Sequence, residues 1–125
     1  MMPLVATNVH AMIEVEPLSN DVARALIRQL VSALNFMHIR RIAHRDVKPA
    51  NLLVTTDMTL LLADFGVADK VPRGGYFTDV VGTGSYMAPE ILDSNDDTRR
   101  YSVLVDMWAT GVAVNEMLTG ITPFR

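Results

Sequence analysis

His44-Arg45-Asp46-Val47-Lys48-Pro49-Ala50-Asn51 places a carboxylate, an ammonium and an amide within six positions, Asp46 to Asn51. The stretch is framed by two patterns of different period. Upstream, apolar residues recur at Val22, Leu26, Leu30, Leu34 and Met37, flanked by Ala23, Ile27 and Val31. That is the wide stripe of an amphipathic helix. Ser19 is suited to cap it, Asp21 favours its first turn, and Arg40 and Arg41 favour its end, which predicts a helix over 19–40. Downstream, Leu52–Thr55 and residues 60–63 flank Thr56-Asp57-Met58-Thr59. This predicts a small β-hairpin with strands of about four residues.

The residue types between those patterns suit a reaction. Asp46 can accept a proton or orient a hydroxyl. Lys48 is a mobile point charge suited to a phosphate. Asn51 offers an oxygen to a hard metal ion. The same residues also describe an ordinary polar loop with a surface lysine and a capping asparagine. Asp64-Phe65-Gly66 follows the second apolar run, a carboxylate at a strand end beside a flexible residue, again suited to a metal. A hairpin brings its outer ends together, so Asn51 and Asp64 are placed to share one ion.

Beyond the hairpin, residues 64–87 are rich in Gly, Asp and Thr and predict a long loop with little structure of its own. Residues 88–93 suggest a short helix and 95–100 a charged turn. Residues 102–119 read as a helix apolar on nearly every face, which implies burial on all sides, with Gly120 as its stop. Asp106 within it needs hydrogen-bond donors, because a lone buried charge is very costly; backbone N–H groups of a tight loop would serve. Near the start, Val9, Met12 and Ile13 share a face of a short helix over about 7–15.

Composition narrows the class. The 125 residues are 50% hydrophobic and 20% charged, with net charge −3 and no cysteine. A chain this apolar can offset ordering entropy, which excludes disorder. Without cysteine there is no disulfide scaffold, and a reducing compartment fits. The mild acidic balance argues against a nucleic-acid partner. Asp106, Asn115 and Glu116 interrupt the longest apolar stretch, so no membrane segment is expected, nor is a signal peptide. A mean hydropathy of +0.22 is nevertheless high for so small a domain.

Four motifs occur in a fixed order: His44–Asn51, Asp64-Phe65-Gly66, Ala88-Pro89-Glu90 within Gly82–Glu90, and Asp106-Met107-Trp108. In that order and with these intervals the chain resembles the eukaryotic protein kinases, of serine/threonine type. The resemblance runs over nearly the whole chain. It implies a mainly α fold with a small β-hairpin, a kinase C-lobe fragment with the N-lobe absent. One partial domain, 1–125, would then comprise a hinge at 1–6, a catalytic loop at 44–51, an activation segment at 64–90 and helix F at 102–119.

The resemblance also implies roles. Asp46 matches the catalytic base, Lys48 a γ-phosphate contact, and Asn51 and Asp64 the Mg2+ ligands. Thr83 would bond to Asp46 and Lys48 and shape the peptide site. Pro3 and Val5 match hinge positions that contact adenine through backbone C=O and N–H, and Leu53 would lie beneath the base. His44 and Phe65 match the regulatory spine, and Asp106 would hold the backbone of the His44-Arg45 turn. Arg45 implies control through the activation segment. Thr78, five residues before Thr83, matches a phosphosite whose phosphate would pair with Arg45. ATP and Mg2+ follow as cofactors, a Ser/Thr protein substrate and an upstream kinase as partners, and a cytoplasmic or nuclear location. Residues 3–10 are similar to mitogen-activated kinases, yet Met87 stands where those enzymes carry arginine, so proline-directed specificity is not implied. His10 and His38 read as structural.

The family's glycine-rich loop, β3 lysine, helix C glutamate and last three large-lobe helices have no counterpart in the 125 residues, and Glu90 is left without its usual arginine. The chain by itself is therefore expected to show no transfer from ATP and to expose apolar surface. A non-catalytic module that binds through its activation segment is the alternative. A hydrolase metal site of His44, Asp46 and Asp64 is a third reading, but it accounts for none of Lys48, Ala88–Glu90 or Asp106.

Overall fold

The computed structural model describes residues 4–124. Strand β1 (Val5–Asn8) leads into α1 (Val9–Val15), followed by the long helix α2 (Asn20–Ile39). Strand β2 (Ile42–Ala43) precedes the polar loop, and β3 (Leu52–Thr55) and β4 (Leu60–Leu62) form the hairpin. Strand β5 (Asp69–Lys70), the short helix α3 (Pro89–Leu92) and helix α4 (Val105–Thr119) complete the order. The fold is mainly helical with a small hairpin, as the sequence predicts.

Helix α2 begins where its cap requires, with the Ser19 hydroxyl accepting from Val22 N–H at 3.3 Å. Its stripe of Leu26, Leu30 and Leu34 is fully buried. It packs on Val9 and Ile13 of α1, Leu52, Val54 and Leu60 of the hairpin, and Ala109 and Met117 of α4. Gln29 ties the hairpin to this helix, donating to Met58 O (3.0 Å) and accepting from Leu60 N–H (2.8 Å). A second cluster joins Ala43, Phe77, Ala88, Ile91, Tyr101 and Val105.

Four expectations change. The helix expected over 7–15 starts at Val9, because Asn8 caps it through Ala11 N–H at 2.8 Å. Residues 5–8 are instead a strand, antiparallel to β3, and the sheet has the order β1-β3-β4. The loop over 64–87 contains β5, paired with β2, and a 3-10 turn at Gly84–Tyr86. The helix expected over 102–119 begins at Val105. Residues before it form tighter bonds, Val105 N–H to Ser102 O and Asp106 N–H to Val103 O, typical of a 3-10 entry turn. Gly120 ends the helix with φ +76. Nor is α4 buried all round: Leu104, Met107, Trp108 and Leu118 are exposed, and the Trp108 ring stacks on Phe124 with centroids 5.7 Å apart.

Candidate active site

Asp106 organises the loop from below. It is 1% exposed, and its carboxylate accepts from His44 N–H (2.8 Å) and Arg45 N–H (2.9 Å) and bonds to His38 Nε2 (2.8 Å). Three partners answer the cost of burying the charge. His38, which reads from sequence as a plain helix-end residue, is thus part of this joint. Arg45 has φ +70, a conformation that side chains rarely adopt and that these two backbone bonds hold in place. His44 accepts from Asp46 N–H through Nδ1 (3.1 Å), so its Nε2 carries the proton donated to Ala63 O (2.8 Å). Phe65 packs edge-on against the same ring, with centroids 5.0 Å apart.

Above this base, three expected residues converge. The Thr83 hydroxyl donates to Asp46 Oδ1 (2.8 Å) and accepts from Lys48 Nζ (2.8 Å), while Lys48 Nζ lies 3.9 Å from Asp46 Oδ2. The Asn51 amide nitrogen donates to Asp46 O (2.8 Å) and Oδ2 (3.3 Å). Asp46 is thereby fixed in orientation by a hydroxyl, an amide and a nearby ammonium. The opposite end of the Asn51 amide, its oxygen, is the atom left for a ligand.

The hairpin brings Asn51 and Asp64 together as its topology requires. Ala63 N–H donates to Asn51 O at 2.9 Å, one rung beyond the β3–β4 ladder. Asp64 has φ +60, and its Oδ1 accepts from Gly66 N–H at 3.2 Å. An amide oxygen and an exposed carboxylate are hard donors of the kind magnesium takes, so the residues present fit that ion. Among the described residues no three His, Asp or Glu side chains cluster as a metal set, which leaves the hydrolase reading of His44, Asp46 and Asp64 without support.

The other expected residues fall at the margins. Val5 lies in β1, an edge strand, and keeps one backbone edge unpaired by the sheet. Leu53 pairs with Leu61 and Asn8, on the sheet face opposite the buried Leu52 and Val54. Pro3 lies outside the described residues. Glu90 is exposed in the first turn of α3, and among the described residues no Lys or Arg forms an ion pair with it. Thr78 is exposed; its carbonyl accepts from Arg99 at 3.4 Å. Arg45 does not meet its side chain. Asp79, the next residue, takes the guanidinium at 2.7 Å.

Two further contacts are not legible in the sequence. The Tyr86 hydroxyl donates to Glu116, a buried carboxylate on α4 that Thr122 also donates to at 3.2 Å. Burial first, and then Glu116, pushes the Tyr86 hydroxyl above its ordinary range. Gly82 is the other: its φ is +104 and it passes directly against the Arg45 carbonyl. A Gly-x-Gly run signals only flexibility, and nothing local says which chain segment it approaches.

A helical lobe carrying a His-Arg-Asp loop braced by a buried helix aspartate, a hairpin presenting Asn and Asp, and a threonine bonded to the loop carboxylate is the large-lobe arrangement of protein kinases. The chain belongs to the protein kinase family: the model of the family described as "Protein kinase domain" matches residues 1–125. It is 42% identical over 104 residues to mitogen-activated protein kinase kinase kinase 1b of Physcomitrium patens, covering 83% of this chain and 13% of that protein. It is 41% identical over 109 residues to the liver/testis phosphorylase b kinase gamma catalytic chain of Rattus norvegicus, covering 86% and 27%. An Aurora kinase of Candida glabrata is 40% identical over 109 residues, covering 87% and 29%. The chain thus spans less than a third of the length of each of these relatives.

Proposed function

We propose that the protein is a serine/threonine kinase that transfers the γ-phosphoryl group of ATP to protein hydroxyls. These 125 residues would supply the base, the metal ligands and part of the peptide site. The observation that carries the reading is the Asp46–Thr83–Lys48 triangle, both bonds 2.8 Å long. In it Asp46 would orient the substrate hydroxyl and accept its proton, Lys48 would face the transferring phosphate, and Thr83 would hold the two in register. Asn51 and Asp64 would hold magnesium, which when bound supplies charge neutralisation at the phosphate oxygens. Val5 and Leu53 would border the adenine. Glu90, His44, Phe65 and Asp106 would be structural. Thr78 would accept a phosphate from an upstream kinase, and that phosphate would compete with Asp79 for Arg45. The proposed site of action is intracellular, cytoplasmic or nuclear; no helix of the described residues is long and apolar enough to cross a membrane.

The test is phosphotransfer from labelled ATP to a Ser/Thr peptide by the product of the full transcript. Asp46→Asn should lower the rate by about 10²–10⁴. The 125 residues alone should show no transfer, because they contain no Gly-x-Gly-x-x-Gly run. Full activity in Asp46→Asn would overturn the assignment. An inactive full product that still binds partner kinases would favour the non-catalytic module.

A further inference from the structure

We propose that Arg99 is a positioning residue: its guanidinium clasps both ends of the segment 78–91 and so holds Thr83 against Asp46 and Lys48. The reaction proposed above makes no use of Arg99, yet its side chain is only 9% exposed. Nε donates to Ile91 O (3.1 Å), Nη2 to Ser94 O (3.2 Å), and Nη1 to both Thr78 O (3.4 Å) and Asp96 Oδ1 (2.8 Å). Ile91 lies in the last turn of α3 and Ser94 just beyond it, where carbonyls have no partner within the helix. Thr78 is the opposite end of the segment. Beside it Phe77 and Tyr101 exchange backbone bonds of 2.8 and 3.0 Å, which brings residues 77–78 up to residues 99–101.

Asp96 is 95% exposed, so solvent screens that pair, and the carbonyl bonds are the ones that join separate parts of the chain. Between its two clasped ends the segment crosses the site. Thr83 bonds to Asp46 and Lys48 there, Tyr86 N–H donates to Thr83 O (3.0 Å), and Met87 N–H donates to Gly84 O (3.2 Å). Fixing the ends of a loop lowers the entropy lost in ordering its middle. A planar fork of donors can reach carbonyls on two sides at once, whereas a lysine ammonium is a point charge on a flexible stem. The link to phosphotransfer rests on the reading of Asp46 as base. The clasp itself does not, and amide exchange tests it without any activity.

Exchange is measured by NMR on the 125-residue chain. The Tyr86 and Met87 amides report on the middle of the segment, and the Asp93 amide, bonded to Pro89 O, reports on the turn beside Arg99. Arg99→Gln should speed exchange at Tyr86 and Met87 by about tenfold or more, in line with lost charge-assisted bonds, while α2 amides keep their protection. Arg99→Lys should show the same loss, and Asp96→Asn should change these amides by less than about threefold. The proposal fails if Tyr86 and Met87 are unprotected in the parent chain, or if only Asp93 accelerates, which would confine Arg99 to its own turn. It also fails if Arg99→Lys protects as well as arginine does, or if Asp96→Asn matches Arg99→Gln. Should Arg99→Gln loosen α2 equally, Arg99→Lys, which keeps the charge, decides by the same amides; equal loosening of α2 in both variants overturns the clasp. In the product of the full transcript, Arg99→Lys should raise the KM for the peptide by about threefold or more and leave that for ATP unchanged. No rise, or an equal rise in both, in an active product overturns the positioning role. An inactive parent product overturns the kinase reading instead, and the clasp then stands or falls on the exchange rates.

Discussion

At Gly82 a Cβ would stand 2.4 Å from the Arg45 carbonyl oxygen, and the backbone already sits at φ +104. Neither condition can relax alone. Moving the carbonyl would disturb the turn that Asp106 holds, and changing φ would carry Thr83 away from Asp46. Gly82→Ala should therefore cost about 1–3 kcal/mol of strain, whereas Gly84→Ala should be close to neutral. At Gly84 nothing lies within 4 Å of the added carbon and the backbone is unstrained. Urea unfolding midpoints of the two variants check the contrast. Asp106 shows how far such effects reach: a helix residue sets the shape of a loop through two N–H groups and a histidine.

Among the elements, α2 and the hairpin are legible in the sequence because their signals are local. The period of Leu26, Leu30 and Leu34 and the Ser19 cap lie within one segment, and so do the two apolar runs and their turn. Strand β1 is not legible. Val-Ala-Thr-Asn has no pattern of its own and becomes a strand only by pairing with Thr55, Val54 and Leu53, far along the chain. In the site, Asp46, Asn51 and Asp64 could be named as one constellation because a short loop and one hairpin connect them. The Asp79–Arg45 pair could not be found from sequence, since an acid beside a threonine on a loop has no period and the pair spans 34 positions. The joint between Tyr86 and α4 also has a pH signature. Tyr86 holds its proton more tightly in the folded chain than an unfolded tyrosine does, whose pKa is about 10. The folded state then binds more protons above that pH, so this stabilisation is complete below about pH 10 and is lost as pH rises further. Urea titrations from pH 8 to 11 should show a shallower alkaline decline for Tyr86→Phe than for the parent.

For the whole molecule, the high hydropathy has a location. Leu92, Leu104, Met107, Trp108 and Phe124 are exposed together with Leu118 and Ile121, around one side of α4 and the turn after it. The single tryptophan reports on that side. Trp108 is 38% exposed, so its emission should be readily quenched by acrylamide in the native chain, and Phe124→Ala should increase the quenching by removing the stacked ring. Emission as protected as that of a buried indole would show that this surface is covered in solution.

Asp106 reaches back 61 and 62 positions to the two amides it fixes. On a ribosome adding about 5–20 residues per second, the loop of residues 44–51 would wait roughly 3–12 seconds for its brace. During that interval α2 and the hairpin can already pack, since their contacts are behind the growing end. The loop of residues 44–51 is thus braced only once α4 has emerged.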